Sequence, residues 1–193
     1  MDLYWFIYNN CSLFRNVRHF YLYVLKIDWK FQIVALLMLI ILSIIVRRKY
    51  KLHEITRYQA FACVNLPVYI FVLFSSLIFS RTANIELGVN IQPFWTEVAI
   101  LSGETKYIQT LVQNLLMLVP HGVLLPFAKE VSLTKTVFTG FLISVTIEFL
   151  QLGTKTGLCE LDDVIHNTLG VVIGYGIFLL LKKMRSKFKA QTQ

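Results

Sequence analysis

Residues 164–181 read VIHNTLGVVIGYGIFLLL, a stretch of 18 residues without a single Asp, Glu, Lys or Arg. Asp162 and Asp163 come directly before it, and Lys182 and Lys183 come directly after it. A helix needs about 20 apolar residues to cross the hydrocarbon core of a bilayer. An apolar stretch of this length with charges at both ends therefore predicts a transmembrane helix.

Similar apolar stretches precede this one along the chain. The predicted spans are 31–46, 59–79, 112–128, 136–152 and 164–181. Hydrophobic residues make up 56% of the 193 residues and charged residues only 16%, and the apolar ones occur in blocks rather than alternating with polar ones. Such blocks predict membrane helices rather than the amphipathic elements of a soluble domain. We therefore expect an all-α integral membrane protein, a polytopic bundle of about five helices in one transmembrane domain over 31–181.

The charges between the spans predict how the chain is oriented. Basic residues crowd loop 47–57 and the C-terminal tail, 182–193, whereas loops 80–111 and 153–163 carry few. Loops rich in Lys and Arg stay on the cytoplasmic side of a membrane. We expect a multi-pass protein of the cell membrane, with its C-terminus in the cytoplasm and both weakly basic loops outside. This topology, together with contact with anionic membrane lipids, accounts for the net charge of +8 without a nucleic-acid partner.

The first segment, residues 1–30, fits neither a span nor a simple loop. It mixes aromatic and basic residues, among them Trp5, Arg15 and Arg18. Either it lies flat on the membrane as an aromatic-basic interfacial helix, or it crosses as a sixth span. We favour the interfacial position, because each Arg at mid-membrane would cost about 2.5–3.5 kcal/mol on insertion scales.

Polar side chains interrupt three of the predicted spans near the same end. With the orientation above, Asn114 lies near the outer end of the third span, and Glu148 and Gln151 lie near the outer end of the fourth. Asp163 and Asn167 lie on one face at the outer start of the fifth. We expect these side chains to meet just beneath the outer membrane surface. Ionisable groups at membrane depth are costly and by default mark a functional site.

Two motifs predict how these spans pack. Gly170 and Gly174 form a GxxxG pattern, which lets helix backbones approach closely within a membrane. Pro120, followed by His121 and Gly122, lies in the middle of the third span. Because proline lacks a backbone N–H and clashes with the preceding turn, we expect a kink there.

The same motifs, taken together, resemble those of a known family. The chain reads NIQPF at 90–94, NLLMLVPHG at 114–122, EFLQ at 148–151 and LDDVIHNTLG at 161–170. These four elements, in this order, resemble the VanZ-like family over residues 81–176. The Arg that many members carry shortly before the aspartates is missing here, where residues 157–159 read GLC.

The resemblance implies a role at the cell envelope, because founding members are associated with resistance to teicoplanin, a lipid-bearing glycopeptide. Three hypotheses remain open from the sequence. The protein binds a lipid-linked or lipid-tailed molecule in an outer polar pocket and so contributes to envelope function or lipoglycopeptide resistance. Alternatively, it is an intramembrane hydrolase or transferase acting on a lipid-linked cell-wall precursor. Finally, it is a structural or assembly subunit of a membrane complex.

The candidate site combines the polar residues with the resemblance. The predicted ligand-binding residues are Arg81, Asn114, Glu148, Gln151, Asp162, Asp163 and Asn167. If the protein is an enzyme, Glu148 and Asp163 are the candidate catalytic groups. Each residue also has a structural alternative, because polar side chains link membrane helices and an Asp can cap the last helix. No cofactor or metal is predicted, since the chain carries no recognised metal motif, and its three cysteines cannot form a complete disulfide framework.

Overall fold

The structure, a computed structural model, describes residues 28–79 and 88–191. The long helices are α1 (Trp29–Lys51), α2 (Arg57–Phe74), α4 (Tyr107–Met117), α5 (Val119–Ala128), α6 (Leu133–Thr154) and α7 (Leu161–Gln191). A π-helical turn, Ser75–Phe79, extends α2, and α4 and α5 together form one span. The described residues contain five helices long and apolar enough to cross a membrane, which confirms the predicted all-α polytopic architecture. The predicted interfacial segment lies almost wholly outside the described residues, and Arg81 lies outside them too.

The helices extend beyond the predicted apolar stretches because polar residues cap their ends. The side chain of Asp28 accepts from the N–H of Lys30 at the start of α1. A capping box begins α2: the Thr56 hydroxyl accepts from the N–H of Gln59, whose side chain accepts in return from the N–H of Thr56. Such pairs satisfy N–H groups that lack a partner in the first turn. The last helix continues through the basic tail to Gln191, well past the predicted end at residue 181.

The third span is broken where the sequence predicts it. The α4 helix ends at Met117, and α5 begins at Val119 with Pro120 in its first turn. The hydroxyl of Tyr69, on α2, donates to the carbonyl oxygen of Met117 at the break. A neighbouring span therefore satisfies a carbonyl group at the break, which would otherwise be costly in an apolar environment.

Glycines bring α5 and α7 into backbone contact, as the GxxxG pattern predicts. A Cβ added to Gly122 would lie 2.2 Å from the carbonyl oxygen of Val171, and one added to Gly174 would lie 2.2 Å from that of Val119. Gly170 is buried on the same face of α7. The absence of side chains at these positions lets two helices cross at their backbones.

Residues 88–106 and 155–163 form one end of the bundle, which we call the polar end. A short parallel pair there joins β1 (Val89–Asn90) to β2 (Cys159–Glu160). A short helix, α3 (Trp95–Leu101), follows β1 and precedes the third span. The β-pair fixes the loop after the second span against the start of the last helix, so residues far apart in sequence meet at this end.

Candidate functional site

Three spans contribute polar side chains to the polar end. We call these side chains the polar cluster: Asn114, Ser144, Glu148, Gln151, Asp163 and Asn167. The Nδ2 of Asn114, on α4, donates to Oδ1 of Asp163, on α7, at 2.5 Å. One turn further along α7, the Nδ2 of Asn167 donates to the hydroxyl of Ser144, on α6, at 2.8 Å. Asn167 and Ser144 are both fully buried. The predicted meeting of polar residues from three helices is therefore observed.

Glu148 connects α6 to the β-pair. Only 3% of Glu148 is exposed. Its Oε2 accepts a hydrogen bond from the backbone N–H of Glu160 at 3.0 Å. Gln151 is buried one turn later, and its side chain packs beneath Gly157. These two residues share a face of α6, as their spacing predicts. The face points at the polar end, where Asp163 lies within electrostatic range of Glu148.

Asp162 holds the start of α3. Its Oδ1 accepts from the N–H of Phe94 at 2.5 Å, and its Oδ2 accepts from the N–H of Thr96 at 2.9 Å. Phe94 has a φ of +59°, a left-handed conformation that is uncommon for a residue other than glycine. Asp162 is fully buried and supports this turn. The structural alternative for Asp162 and Asp163 is confirmed in part. Both lie in the first turn of α7, which begins at Leu161, but neither is its N-cap. Asp162 binds the N-terminus of α3 instead.

We expect Asp162→Asn to lower the free energy of unfolding by about 1–3 kcal/mol, because the amide places an NH2 group against a buried backbone N–H donor. Thermal unfolding of the purified protein in detergent measures the loss. Asp28→Asn is the matched control, since Asn caps a helix about as well as Asp does. Equal unfolding temperatures for the two variants would contradict this role for Asp162.

His166 forms a pair that the sequence does not reveal. Its Nε2 lies 2.7 Å from Oε1 of Glu97, on α3. The His166 side chain is only 3% exposed, whereas that of Glu97 is 37% exposed. A buried imidazole is thus connected to the surface through a carboxylate. The two residues are 69 positions apart, so only the tertiary structure brings them together.

The charges around β2 also affect groups outside the spans. Burial raises the pKa of the Glu160 carboxyl, a hydrogen bond from Asn90 opposes this, and the negative charge of Asp162 adds to it. Burial also raises the pKa of the Cys159 thiol, and the charges of Glu148, Asp163 and Glu160 raise it further. A thiol with a raised pKa is protonated at neutral pH and is a weak nucleophile.

Several buried polar atoms at the polar end have no hydrogen-bond partner among the residues that the structure describes. Within residues 28–79 and 88–191, five buried side-chain atoms lack a hydrogen-bond partner: Trp95 Nε1, Glu97 Oε2, His121 Nδ1, His166 Nδ1 and Asn167 Oδ1. Four of them belong to residues of α3 and of the first turns of α7 at this end. His121 lies deeper, on α5, where its Nε2 lies 3.0 Å from the hydroxyl of Thr139. Buried polar atoms are normally paired, so such a concentration is unusual.

The structure adds residues to the predicted site. Sequence reasoning missed Ser144, Glu97 and Glu160. Ser144 precedes Glu148 by four residues, and this spacing alone places it on the polar face of α6. No sequence signal links Glu97 or Glu160 to the cluster. No group of three or more His, Cys, Asp or Glu residues in the described part of the chain is arranged to hold a metal ion.

A comparison with protein families identifies the family of this chain. The model of the VanZ/LLP1 family matches residues 33–182. The chain belongs to the VanZ/LLP1 family. The match begins at residue 33, upstream of residue 81, where the resemblance in the motifs starts. It overlaps all five spans of the described residues. This VanZ/LLP1 protein is therefore a multi-pass membrane protein. Among curated proteins and among solved structures, no match to the chain was found.

Proposed function

We propose that the polar cluster of this VanZ/LLP1 protein binds a lipid-linked or lipid-tailed molecule in the outer leaflet of the cell membrane. Through this binding, the protein would contribute to envelope function or to tolerance of teicoplanin-type lipoglycopeptides. The observation that carries the proposal is the set of buried polar atoms at the polar end that lack a hydrogen-bond partner within residues 28–79 and 88–191. A ligand that supplies hydrogen bonds to them would remove a cost that the protein alone bears.

The charges of the cluster favour a ligand rich in hydrogen-bond donors. Asp163 lies within electrostatic range of both Glu148 and Glu160. The thiol of Cys159 lies within electrostatic range of all three carboxyl groups. Carboxyl groups accept strong hydrogen bonds from hydroxyl, amide and ammonium groups, and they repel phosphate. Sugar hydroxyls, peptide amides or amines therefore suit this cluster better than a pyrophosphate does. Both lipoglycopeptides and wall precursors carry such donors.

The surface beside the cluster suits a lipid tail. Large apolar side chains are exposed there, including Phe94, Val98, Leu101, Leu158 and Leu161. Apolar surface next to a polar cluster matches a molecule with a polar head and a hydrocarbon tail. In this proposal, five residues contact the head group or hold the residues that do: Asn114, Glu148, Gln151, Asp163 and Asn167. Asp162 supports the α3 turn, and Arg81 stays a sequence prediction.

A second candidate function is an intramembrane hydrolase or transferase. The observation that favours it is the contact of the buried His166 with the partly exposed Glu97, since an imidazole oriented by a carboxylate is a common general base. Asp163, within electrostatic range of His166, would then be a further catalytic candidate beside Glu148. The raised pKa of Cys159 argues against a cysteine nucleophile.

Binding and turnover assays on the purified protein separate the two functions. In nanodiscs, saturable binding of a teicoplanin-type lipoglycopeptide, but not of a glycopeptide without an acyl tail, supports the first proposal. Turnover of a lipid-linked wall precursor that is lost in Asp163→Asn supports the enzyme. If the protein neither binds nor converts these molecules, both proposals are contradicted.

The orientation of the bundle is itself testable. We propose that the polar end faces outside, because basic residues lie at the opposite end. In a background without the native cysteines, Leu158→Cys should react with a membrane-impermeant maleimide in intact cells. Lys135→Cys, exposed at the other end, should react only after permeabilisation. The reverse pattern would place the polar end in the cytoplasm and contradict an outer-leaflet ligand.

A further inference from the structure

Two neighbouring cavities lie at the opposite end of the bundle, which we call the basic end (residues 47–57, 129–132 and 182–188). One has a volume of about 390 Å³ and the other of about 370 Å³, and Tyr58, Phe127 and Arg185 line both. The first cavity also has polar lining, including Gln59 and Lys182. The rest of the second is apolar, formed by Phe61, Val123, Leu124, Leu181 and Phe188. A cavity with a mixed polar and apolar lining thus adjoins an apolar one.

Three of the cations at this end lie near aromatic rings. The Arg185 guanidinium lies 4.1 Å from the centroid of the Tyr58 ring, and the Arg57 guanidinium lies 4.8 Å from it. Arg57 also donates to the Tyr58 hydroxyl at 2.8 Å. The Lys182 ammonium lies 5.8 Å from the centroid of the Phe178 ring. Contact with a ring face fixes a cation while using few of its N–H donors, so most of them can still bind an anion.

The charge around the first cavity is positive. Glu130 is the acidic residue in its lining, and it is exposed. In the described part of the chain, the ion pairs are Lys106–Glu104 and His166–Glu97, both at the polar end. Lys182 and Arg185 therefore face the cavity without a carboxylate partner among those residues. The N-terminus of α2, which begins at Arg57, adds the positive end of a helix dipole.

We propose that these cavities bind an anionic phospholipid from the leaflet on this side of the membrane. The phosphate would lie between Lys182 and Arg185, since guanidinium groups bind phosphate through paired hydrogen bonds. One acyl chain would lie in the apolar cavity. Phe61 and Leu181, which line that cavity, are 63% and 44% exposed, so a chain can enter sideways from the bilayer. This site is separate from the polar cluster and does not depend on its function.

Generic attraction is the competing explanation, because basic residues at helix ends commonly contact anionic headgroups without a defined site. Two observations favour a site. The cations line a cavity of ligand-binding size, within about 300–1,000 Å³. The Arg185 guanidinium and the Lys182 ammonium also lie near the rings of Tyr58 and Phe178. A test must therefore compare cavity cations with other cations at the same end.

The test measures binding of phosphatidylglycerol to the full chain in phosphatidylcholine nanodiscs. We expect saturable binding of phosphatidylglycerol that the double variant Lys182→Gln, Arg185→Gln weakens about tenfold or more, given the usual contribution of each cation near anionic lipid. The control double variant Lys129→Gln, Lys135→Gln loses the same charge outside both cavities and should bind as the wild type does. Val123→Phe, which fills the apolar cavity without changing charge, should also weaken binding.

A second measurement does not depend on variants that must fold. Phosphatidylglycerol with a photoreactive acyl chain should form adducts with wild-type residues 58–61 or 123–127. Adducts only elsewhere would overturn the proposal, as would equal weakening by the two double variants or equal binding of the neutral lipid. Full competition by inorganic phosphate at low concentration would also overturn it, because the ligand would then be free phosphate and not a lipid.

Discussion

Glu148→Gln or Asp163→Asn should abolish any lipoglycopeptide tolerance that the protein confers, while leaving its amount in the membrane unchanged. Each amide has the shape of the acid it replaces and keeps one oxygen. Glu148 accepts from the N–H of Glu160, and Asp163 accepts from Asn114, and the remaining oxygen can preserve either bond. The substitution therefore removes an ionisable group and one acceptor oxygen while it keeps the shape of the side chain. Loss of one partner from a buried, charged hydrogen bond to a ligand commonly costs about 2–5 kcal/mol of binding free energy.

The measurement is the minimum inhibitory concentration of a teicoplanin-type antibiotic in cells that express each variant, together with ligand binding by the purified proteins. We expect binding weakened by a factor of about 30 or more, which corresponds to the lower end of that range. Glu104→Gln is the matched control, since Glu104 is an exposed carboxylate at the same end that pairs with Lys106 outside the cluster. Unchanged tolerance and binding in both cluster variants would reduce the cluster to a structural element.

Adding a single methyl group at the α5–α7 crossing should have the largest effect on stability. In Gly122→Ala or Gly174→Ala the new Cβ meets a carbonyl oxygen at 2.2 Å, far inside van der Waals contact. Overpacking of a well-packed core costs about 1–3 kcal/mol. We expect the upper end of this range or more, because the opposing atoms belong to backbone and no flexible side chain can move away.

Gly176→Ala is the control on the same helix, because no heavy atom lies within 4 Å of the added Cβ. It should stabilise the protein slightly, since Ala is favoured over Gly in a helix by about 1 kcal/mol. Thermal unfolding in detergent and the amount of folded protein in the membrane measure all three variants. If Gly122→Ala and Gly174→Ala unfold at the same temperature as Gly176→Ala, the backbone contact between α5 and α7 is contradicted.

Much of the fold could be predicted because its causes are local in the sequence. An apolar block such as 164–181 becomes a helix in a membrane, since its backbone groups must bond within the segment. Pro120 breaks the third span because its ring and missing N–H act on the adjacent turn. The spacing of Gly170 and Gly174 by itself predicts that the last helix crosses another helix at close range. The shared face of Glu148 and Gln151 likewise follows from helical geometry.

The partners of the site residues could not be predicted, because they depend on contacts between distant parts of the chain. Asp162 lies just before the last apolar stretch, where an Asp commonly caps a helix. In the structure, however, it binds the N–H of Thr96, 66 positions away. His166 meets Glu97 across 69 positions. The parallel pairing of residues 89–90 with 159–160 makes both contacts possible, and two-residue strands leave no periodic signal in a sequence.

The sequence by itself thus determined the five spans, the break at Pro120 and the helix faces that carry polar groups, because a bilayer acts on each segment separately. Only the tertiary structure decided which polar groups pair with one another and which buried atoms, such as Nδ1 of His166, have no partner among the described residues. Those outcomes depend on the packing of helices and loops against one another, and a hydrogen bond forms only where that packing brings donor and acceptor within about 3 Å.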